Sequence, residues 1–486
     1  MFDQFENNTP LPKAEFEQRA LLLRQQLLQT QFALEDSNHP VIIVIAGLDG
    51  AGKGVLVHRL NEWMDPRGIE TNTYWEHSDE QEERPYFWRY WLKLPARGQT
   101  GIFLGSWYTH PTQARVDGHL DDADFARACE RINTFERQLS DDGAIVIKLW
   151  LHISEETQRI QLEEKAPRKQ QNPRVTDTPY ELRGKYQPAL AVSAELIRNT
   201  QTLQCPWHII DSEDRYYREI KAGEIILDTI TRRMQQEETS DPLPPFNSPR
   251  DFLSSVDLDK SLSKRDYKRK LRKHQSRLQD LAWEAYRQKR SLVTVFEGWD
   301  GAGKGSAIRR VTSAIDPRLY KLVQIAAPSD EELARQYLWR FWRRLQRDGR
   351  STLFDRSWYG RVMVERVEGF ARDQEWQRAY REINEMESEL VNHGCIVAKF
   401  FIHISQEEQL ARFQARAREP HKQHKITDED WRNREKWPAY EQAVNQMIEE
   451  TNTRGAPWTL VPGDNKHYAR IHILKTLCRA LEQALS

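Results

Sequence analysis

Two stretches of this 486-residue chain carry the residue types that hold phosphate. One is Gly298-Trp299-Asp300-Gly301-Ala302-Gly303-Lys304-Gly305, behind the apolar run Leu292-Val293-Thr294-Val295-Phe296; the other is Gly47-Leu48-Asp49-Gly50-Ala51-Gly52-Lys53-Gly54, behind Val41-Ile42-Ile43-Val44-Ile45. Glycines let backbone N–H groups approach phosphate oxygens, and the lysine adds a point charge. The chemistry such a loop serves is the handling of phosphoanhydrides. Lys304 and Lys53 are followed by Gly305 and Gly54, where a Ser or Thr would ordinarily ligate magnesium. Asp300, inside the loop, could coordinate Mg²⁺ or orient the attacking phosphate oxygen. The competing reading is that it only caps the following helix.

A second constellation is Phe354-Asp355-Arg356-Ser357-Trp358-Tyr359-Gly360-Arg361, where an apolar run ends in an acid and a base. Beside the loop, Asp355 would be a second carboxylate for Mg²⁺, with Arg356 and Arg361 neutralising charge on a transferring phosphoryl group. The bland alternative is a solvated Asp/Arg pair at a strand end.

Both constellations sit in an internal duplication. Gly298 and Gly47 are 251 positions apart, and the same offset relates Asp316-Pro317 to Asp65-Pro66, Ser357-Trp358-Tyr359 to Ser106-Trp107-Tyr108, and His403-Ile404-Ser405 to His152-Ile153-Ser154. Each copy predicts a charged amphipathic helix (about 13 to 35, and 264 to 289) before the phosphate-loop strand. Further strands are expected at 101–104 and 352–354, then at 144–149 and 396–401. Largely apolar strands alternating with helices imply a sheet covered on both faces. Domains are expected at 1–235 and 262–486, separated by a proline-containing linker over 236–261.

Composition excludes more than it selects. Lys and Arg total 72 against 73 Asp and Glu, so affinity for a polyanion must come from local clustering, and no nucleic-acid partner is expected. Cys129, Cys205, Cys395 and Cys478 show no paired spacing, which fits a reducing cytoplasm. The start Met1-Phe2-Asp3-Gln4-Phe5-Glu6 has no export pattern and no run of about 18 apolar residues occurs, so a soluble protein without a membrane partner is expected.

The loop motif Gly-x-Asp-x-x-Gly-Lys-Gly together with Asp355-Arg356-Ser357-Trp358-Tyr359 resembles the type-2 polyphosphate kinase family, and the duplication resembles its two-domain branch. The resemblance implies an α/β fold: two tandem P-loop kinase-like three-layer α/β/α domains, each with a helical lid. It also implies phosphoryl transfer between inorganic polyphosphate and a nucleotide, in this branch AMP to ADP, with Mg²⁺. On the matching positions it makes Asp300, Lys304, Asp355 and Arg356 catalytic, and Asp300 and Asp355 the metal ligands. Gly298, Gly301, Gly303, Gly305, Arg361 and the basic lid residues Arg412, Arg416, Lys422 and Lys425 would bind substrate. Trp437 and Tyr440 follow the lid.

A phosphate polymer carries roughly one charge per unit, so its site needs several cations in a row and its binding weakens with salt. Arg416, Lys422 and Lys425 suit this. So would a helix over Arg335 to Arg350, on which Arg340, Arg343, Arg344 and Arg347 would share one face. The stretch from Lys264 to Arg277 reads as an exposed helix face.

The copies differ where chemistry should occur. At the offset, Asp355 becomes Leu104, Arg356 becomes Gly105, Arg361 becomes His110, and Arg412 and Lys422 become Gln161 and Gln171, while Lys165 and Arg174 stand at Arg416 and Lys425. The expectation is a catalytic second copy, with a first copy that supports assembly or holds polyphosphate. Direct in-line transfer needs no side-chain nucleophile, so Cys395, Cys478, His393 and His403 read as structural. The alternatives are a preference for ADP, yielding ATP; an ATP-dependent small-molecule kinase; and a polyphosphate-binding protein without turnover. Association into a homo-oligomer is compatible with these residues.

Overall fold

The computed structural model describes residues 1–6, 10–74, 82–171, 185–236, 249–419 and 428–486. The chain divides into two compact units. One comprises Met1–Ser78, Arg89–Thr239 and Ser329–Trp339; the other comprises Asp79–Trp88, Ser240–Pro328 and Arg340–Ser486. Each unit therefore takes in a short stretch of sequence from the other copy.

The first unit holds a five-stranded parallel sheet in the order β2-β3-β1-β4-β5, with β1 Val41–Gly47, β2 Ile69–Thr73, β3 Thr100–Leu104, β4 Ile145–His152 and β5 Trp207–Asp211. The second repeats it as β10-β9-β6-β8-β7, with β6 Leu292–Gly298, β7 Tyr320–Gln324, β8 Ser351–Asp355, β9 Ile396–His403 and β10 Trp458–Pro462. β4 and β9 are largely apolar and buried from end to end, as a parallel sheet covered by helices on both faces requires. The charged helices Lys13–Glu35 and Lys264–Arg287 form as the periodicity predicts. Among the described residues no helix is long and apolar enough to cross a membrane.

β6 lies between β8 and β9, with Phe296 in register with Asp355 and Gly298 with Ile402. The chain goes from β6 out to β7, returns through β8 and crosses to β9, so the strand order reverses at β6. Open α/β sheets bind ligands at the carboxyl ends of the strands at such a point. The phosphate loop leaves β6 there.

One expectation changes. The helix expected over 335–350 is not formed: the segment makes only the short turn Trp339–Trp342 before irregular chain. Tyr337, Leu338, Trp339, Phe341, Trp342 and Leu345 are all buried, so the segment has no continuous polar face to give a solvated helix. Arg347 is held at 2.6 Å by Glu83 of the same unit and Arg340 donates to Ala326 O at 2.9 Å, so this segment presents no shared arginine face. The prolines expected to mark the linker fall largely on 237–248, outside the described residues. Beyond them, Phe252 and Leu253 donate their backbone N–H groups to Asn445 Oδ1 at 2.9 and 3.1 Å, so this part of the 236–261 stretch is packed within the second unit.

Candidate functional site

The phosphate loop of the second unit owes its path to glycine. A Cβ on Gly298, whose φ is +144°, would lie 2.5 Å from Ile402 O of β9, so only glycine lets β6 turn out while paired to its neighbour. Gly303, at φ +106°, starts the helix Lys304–Thr312 without a side-chain cap. Asp300 is therefore not that helix's cap. Its Oδ1 accepts from Arg356 Nη2 at 3.2 Å and its Oδ2 from Asn433 Nδ2 at 2.9 Å. Burial opposes the Asp300 charge, but Lys304, Arg356 and Asn433 outweigh it and hold its pKa below the usual carboxylate range. Lys304 Nζ donates to Gly298 O at 2.5 Å and stands 4.0 Å from Asp300 Oδ1. Asp300, Lys304 and Arg356 thus line one cavity of about 630 Å³, measured out to open solvent, together with Glu297, Trp299, Asn433 and Tyr440.

Arg356 is placed by strain and by an anchor. It is one of two described non-glycine residues with positive φ, at +63°, a conformation that costs an L-residue roughly 1–2 kcal/mol. Immediately after it, Trp358 Nε1 and Tyr359 OH donate to Glu387 Oε1 at 3.1 and 2.7 Å. Lys399 Nζ, fully buried, bonds Glu387 Oε2, Tyr359 OH and Thr451 O, each at 2.7 Å. The first unit repeats the arrangement with Lys148, Glu136, Trp107, Tyr108 and Thr200. The Ser-Trp-Tyr motif is therefore a structural anchor common to both copies, and the residue before it, Arg356 or Gly105, is where they diverge.

Glu297 was not singled out by the sequence. It is the penultimate residue of β6, is 4 % exposed, accepts from Ser357 Oγ at 2.8 Å, and has its pKa pushed up to about 6 by burial, against the pull of Lys304, Ser357 and Arg356. Folding raises this pKa, so the neutral carboxyl contributes its full stability below the ordinary carboxylate range and loses it as pH climbs through about 6. A Glu297→Gln variant, neutral at every pH, should gain about 2 kcal/mol relative to the parent chain as pH rises from about 4 to about 8. Chemical unfolding with chelator present measures this; a flat difference across that range would show that Glu297 is not held in a desolvated pocket. The signal that could have found Glu297 is the duplication, since its counterpart is Ala46; likewise Asn433 answers to Leu182 and Tyr440 to Ala189.

The other expected residues are distributed as follows. Asp355 ends β8 and acts electrostatically on Glu297 and Arg356, although it does not line the cavity; among the described residues its carboxylate has no hydrogen-bond partner. Arg361 lies outside the lining and faces Glu365 at 3.2 Å. Among the described residues nothing beyond its chain neighbours and its own helix backbone comes within 4 Å of where a Gly305 side chain would start, so the space there is open. Gly301 packs on Phe413, with a Cβ there 3.0 Å from its ring. Arg416 is half-buried on the helix Gln406–Arg418, while Lys422 and Lys425 lie outside the described residues. Arg412 departs from the expectation of a cation offered to substrate. It is 5 % exposed, and its guanidinium donates to Gly301 O, Ala302 O, Gly463 O and Asp464 O as well as to Glu408. Turned onto loop carbonyls, it braces the loop. From the lid side, Trp437 stacks on Trp299 with ring centroids 3.7 Å apart, and Trp299 Nε1 donates to His403 Nδ1 at 2.8 Å.

The family model described as Polyphosphate kinase 2 (PPK2) matches residues 11–238 and again 261–486. The chain belongs to the polyphosphate kinase 2 family. It is 43% identical to a Pseudomonas aeruginosa protein named polyphosphate:AMP phosphotransferase, over 100% of this chain and 99% of that one. A protein of the same name from Acinetobacter johnsonii is 36% identical over 95% of this chain and 96% of its own length. Among solved structures, a polyphosphate kinase 2 from Pseudomonas aeruginosa matches with a TM-score of 0.89 and 42% identity, covering 100% of this chain and 99% of its own. The α/β architecture of two tandem polyphosphate kinase 2 domains is that of the family.

Proposed function

We propose that this chain transfers a phosphoryl group from inorganic polyphosphate to AMP, giving ADP, and that the C-terminal copy does the chemistry. The observation that carries the placement is the meeting of Asp300, Lys304, Arg356 and Glu297 at one cavity, where the first copy has Asp49, Lys53, Gly105 and Ala46. The choice of AMP rests on the names of the full-length relatives.

Two polyanions repel, so the protein's task is to position and neutralise. Lys304, resting on loop carbonyls, and Arg356, resting on Asp300, are both placed to exchange those partners for phosphate oxygens. The oxygen donors at these strand ends suit Mg²⁺, which is held by one or two carboxylates together with substrate phosphates rather than by a protein cage. Asp300 and Asp355 would hold it, and among the described residues no cluster of three or more potential ligands is present. When bound, Mg²⁺ neutralises charge on the phosphate oxygens. No side-chain nucleophile is called for: Cys395 and Cys478 are buried with thiol pKa values pushed up to about 12 and about 11, and His403 accepts the Trp299 bond.

The test incubates the full chain with polyphosphate and Mg²⁺, offering AMP, ADP, GMP and GDP in separate reactions and ATP as a rival donor. ADP formed from AMP and polyphosphate is the expected product. ATP formed from ADP as the main product, or turnover with ATP alone, would overturn the assignment in favour of a diphosphate acceptor or a small-molecule kinase.

A further inference from the structure

The two phosphate loops are braced by arginines that come from different helices. In the second unit Arg412, on the helix Gln406–Arg418, donates through Nη1 to Ala302 O at 2.8 Å and through Nη2 to Gly463 O at 2.7 Å, tying the loop to the turn after β10. Its counterpart in the first copy is Gln161, which cannot repeat this. There Arg218, on the helix Arg215–Gln235, donates through Nη1 to Ala51 O at 3.2 Å and to Ser212 O at 3.5 Å. Ala51 and Ser212 are the counterparts of Ala302 and Gly463, and Arg218 is the counterpart of Ala469. Each of the two arginines is 5 % exposed and bridges the corresponding pair of carbonyls. The carbonyls are fixed; the arginine's origin is not.

We propose that Arg412 is a positioning residue for phosphoryl transfer, holding the phosphate loop in register, and that an arginine delivered from position 469 can replace it. Its planar fork spans several carbonyl oxygens at once, which a lysine ammonium cannot do. The first copy also shows what the alternative needs. Glu219, beside Arg218, is held by Arg59 at 2.7 Å, and the corresponding positions in the second copy are Arg470 and Arg310. The complete transplant is therefore Arg412→Gln, Ala469→Arg and Arg470→Glu, with Arg310 already in place to receive the new carboxylate.

The inference rests on the C-terminal copy being the one that turns over, and the experiment separates the two. In the full-length chain, Arg412→Gln and Arg412→Lys should each lower kcat by roughly 10 to 10²-fold, as a sub-ångström to ångström displacement of a positioning loop does. The triple variant should recover kcat to within a few-fold. Unfolding midpoints are measured alongside, with turnover assayed well below them, because a merely structural role would lower the midpoint and leave kcat unchanged. Wild-type kcat in a folded Arg412→Gln chain overturns the inference. So does a triple variant that is folded but no more active than Arg412→Gln, or one that does not fold, since both deny that the two placements are interchangeable. A parent chain without turnover would instead sink the functional reading.

Discussion

Arg356→Gly should lower turnover by about 10²–10³-fold, the loss typical of removing one preorganised charge-stabilising donor, while the unfolding midpoint stays level or rises. Both halves follow from the backbone. Arg356 has φ +63° and its counterpart Gly105 has φ +71°, so glycine at this position relieves strain that arginine carries. The stability lost is small, because the Arg356 side chain is 44% exposed and an ion pair of that kind, here with Asp300, contributes little to folding. The first copy contains the result of this substitution already: a loop of the same shape without the guanidinium. Turnover within about threefold of the parent chain would remove Arg356 from the account, and a midpoint lowered by several degrees would show that its side chain holds the loop.

Lys399→Met should have the opposite profile, with stability lost first. Its ammonium sits among Glu387, Tyr359 OH and Thr451 O with no exposure to water. Deleting one partner of a buried pair leaves an uncompensated charge and typically costs about 3–5 kcal/mol. The Glu387 carboxyl, whose pKa burial already raises, would lose the cation that offsets this. Urea unfolding of the second unit measures the cost. Activity should fall only as the folded fraction falls, since Lys399 lies outside the cavity lining. A loss below about 1 kcal/mol would mean that the pair is no net support, as some buried pairs are not.

The fold was legible because its signals are periodic and repeated. Apolar runs of strand length, each ending in glycines, gave β1 and β6, and the 251-residue offset transferred every assignment from one copy to the other. Asp300, Lys304 and Arg356 were legible by type and spacing, and they meet at one cavity. What failed to show was anything that depends on which way a side chain points. Arg412 reads as a lid cation because it lies in a basic stretch, yet it faces inward onto carbonyls. The arginines near 340–347 read as a helix face because spacing alone cannot report that the intervening aromatics are buried on every side. Glu297 hid at the end of an apolar strand, where an acid is masked by its neighbours, although Ala46 at the same offset marks it as a position where the copies part.

The most direct test of the central claim compares the two loop lysines in one assay. Lys304 and Lys53 make the same contacts, donating to Gly298 O and Trp299 O in one copy and to Gly47 O and Leu48 O in the other, so local structure does not separate them. What surrounds them in the sequence does: Arg356, Glu297 and Asn433 line the cavity with Lys304, and at the matching positions the sequence of the first copy has Gly105, Ala46 and Leu182. Measured as ADP formed from AMP and polyphosphate by the full-length chain, Lys304→Ala should lose about 10²–10³-fold in kcat, with Lys53→Ala within a few-fold of the parent. Comparable losses from the two substitutions would contradict the assignment of catalysis to the C-terminal copy.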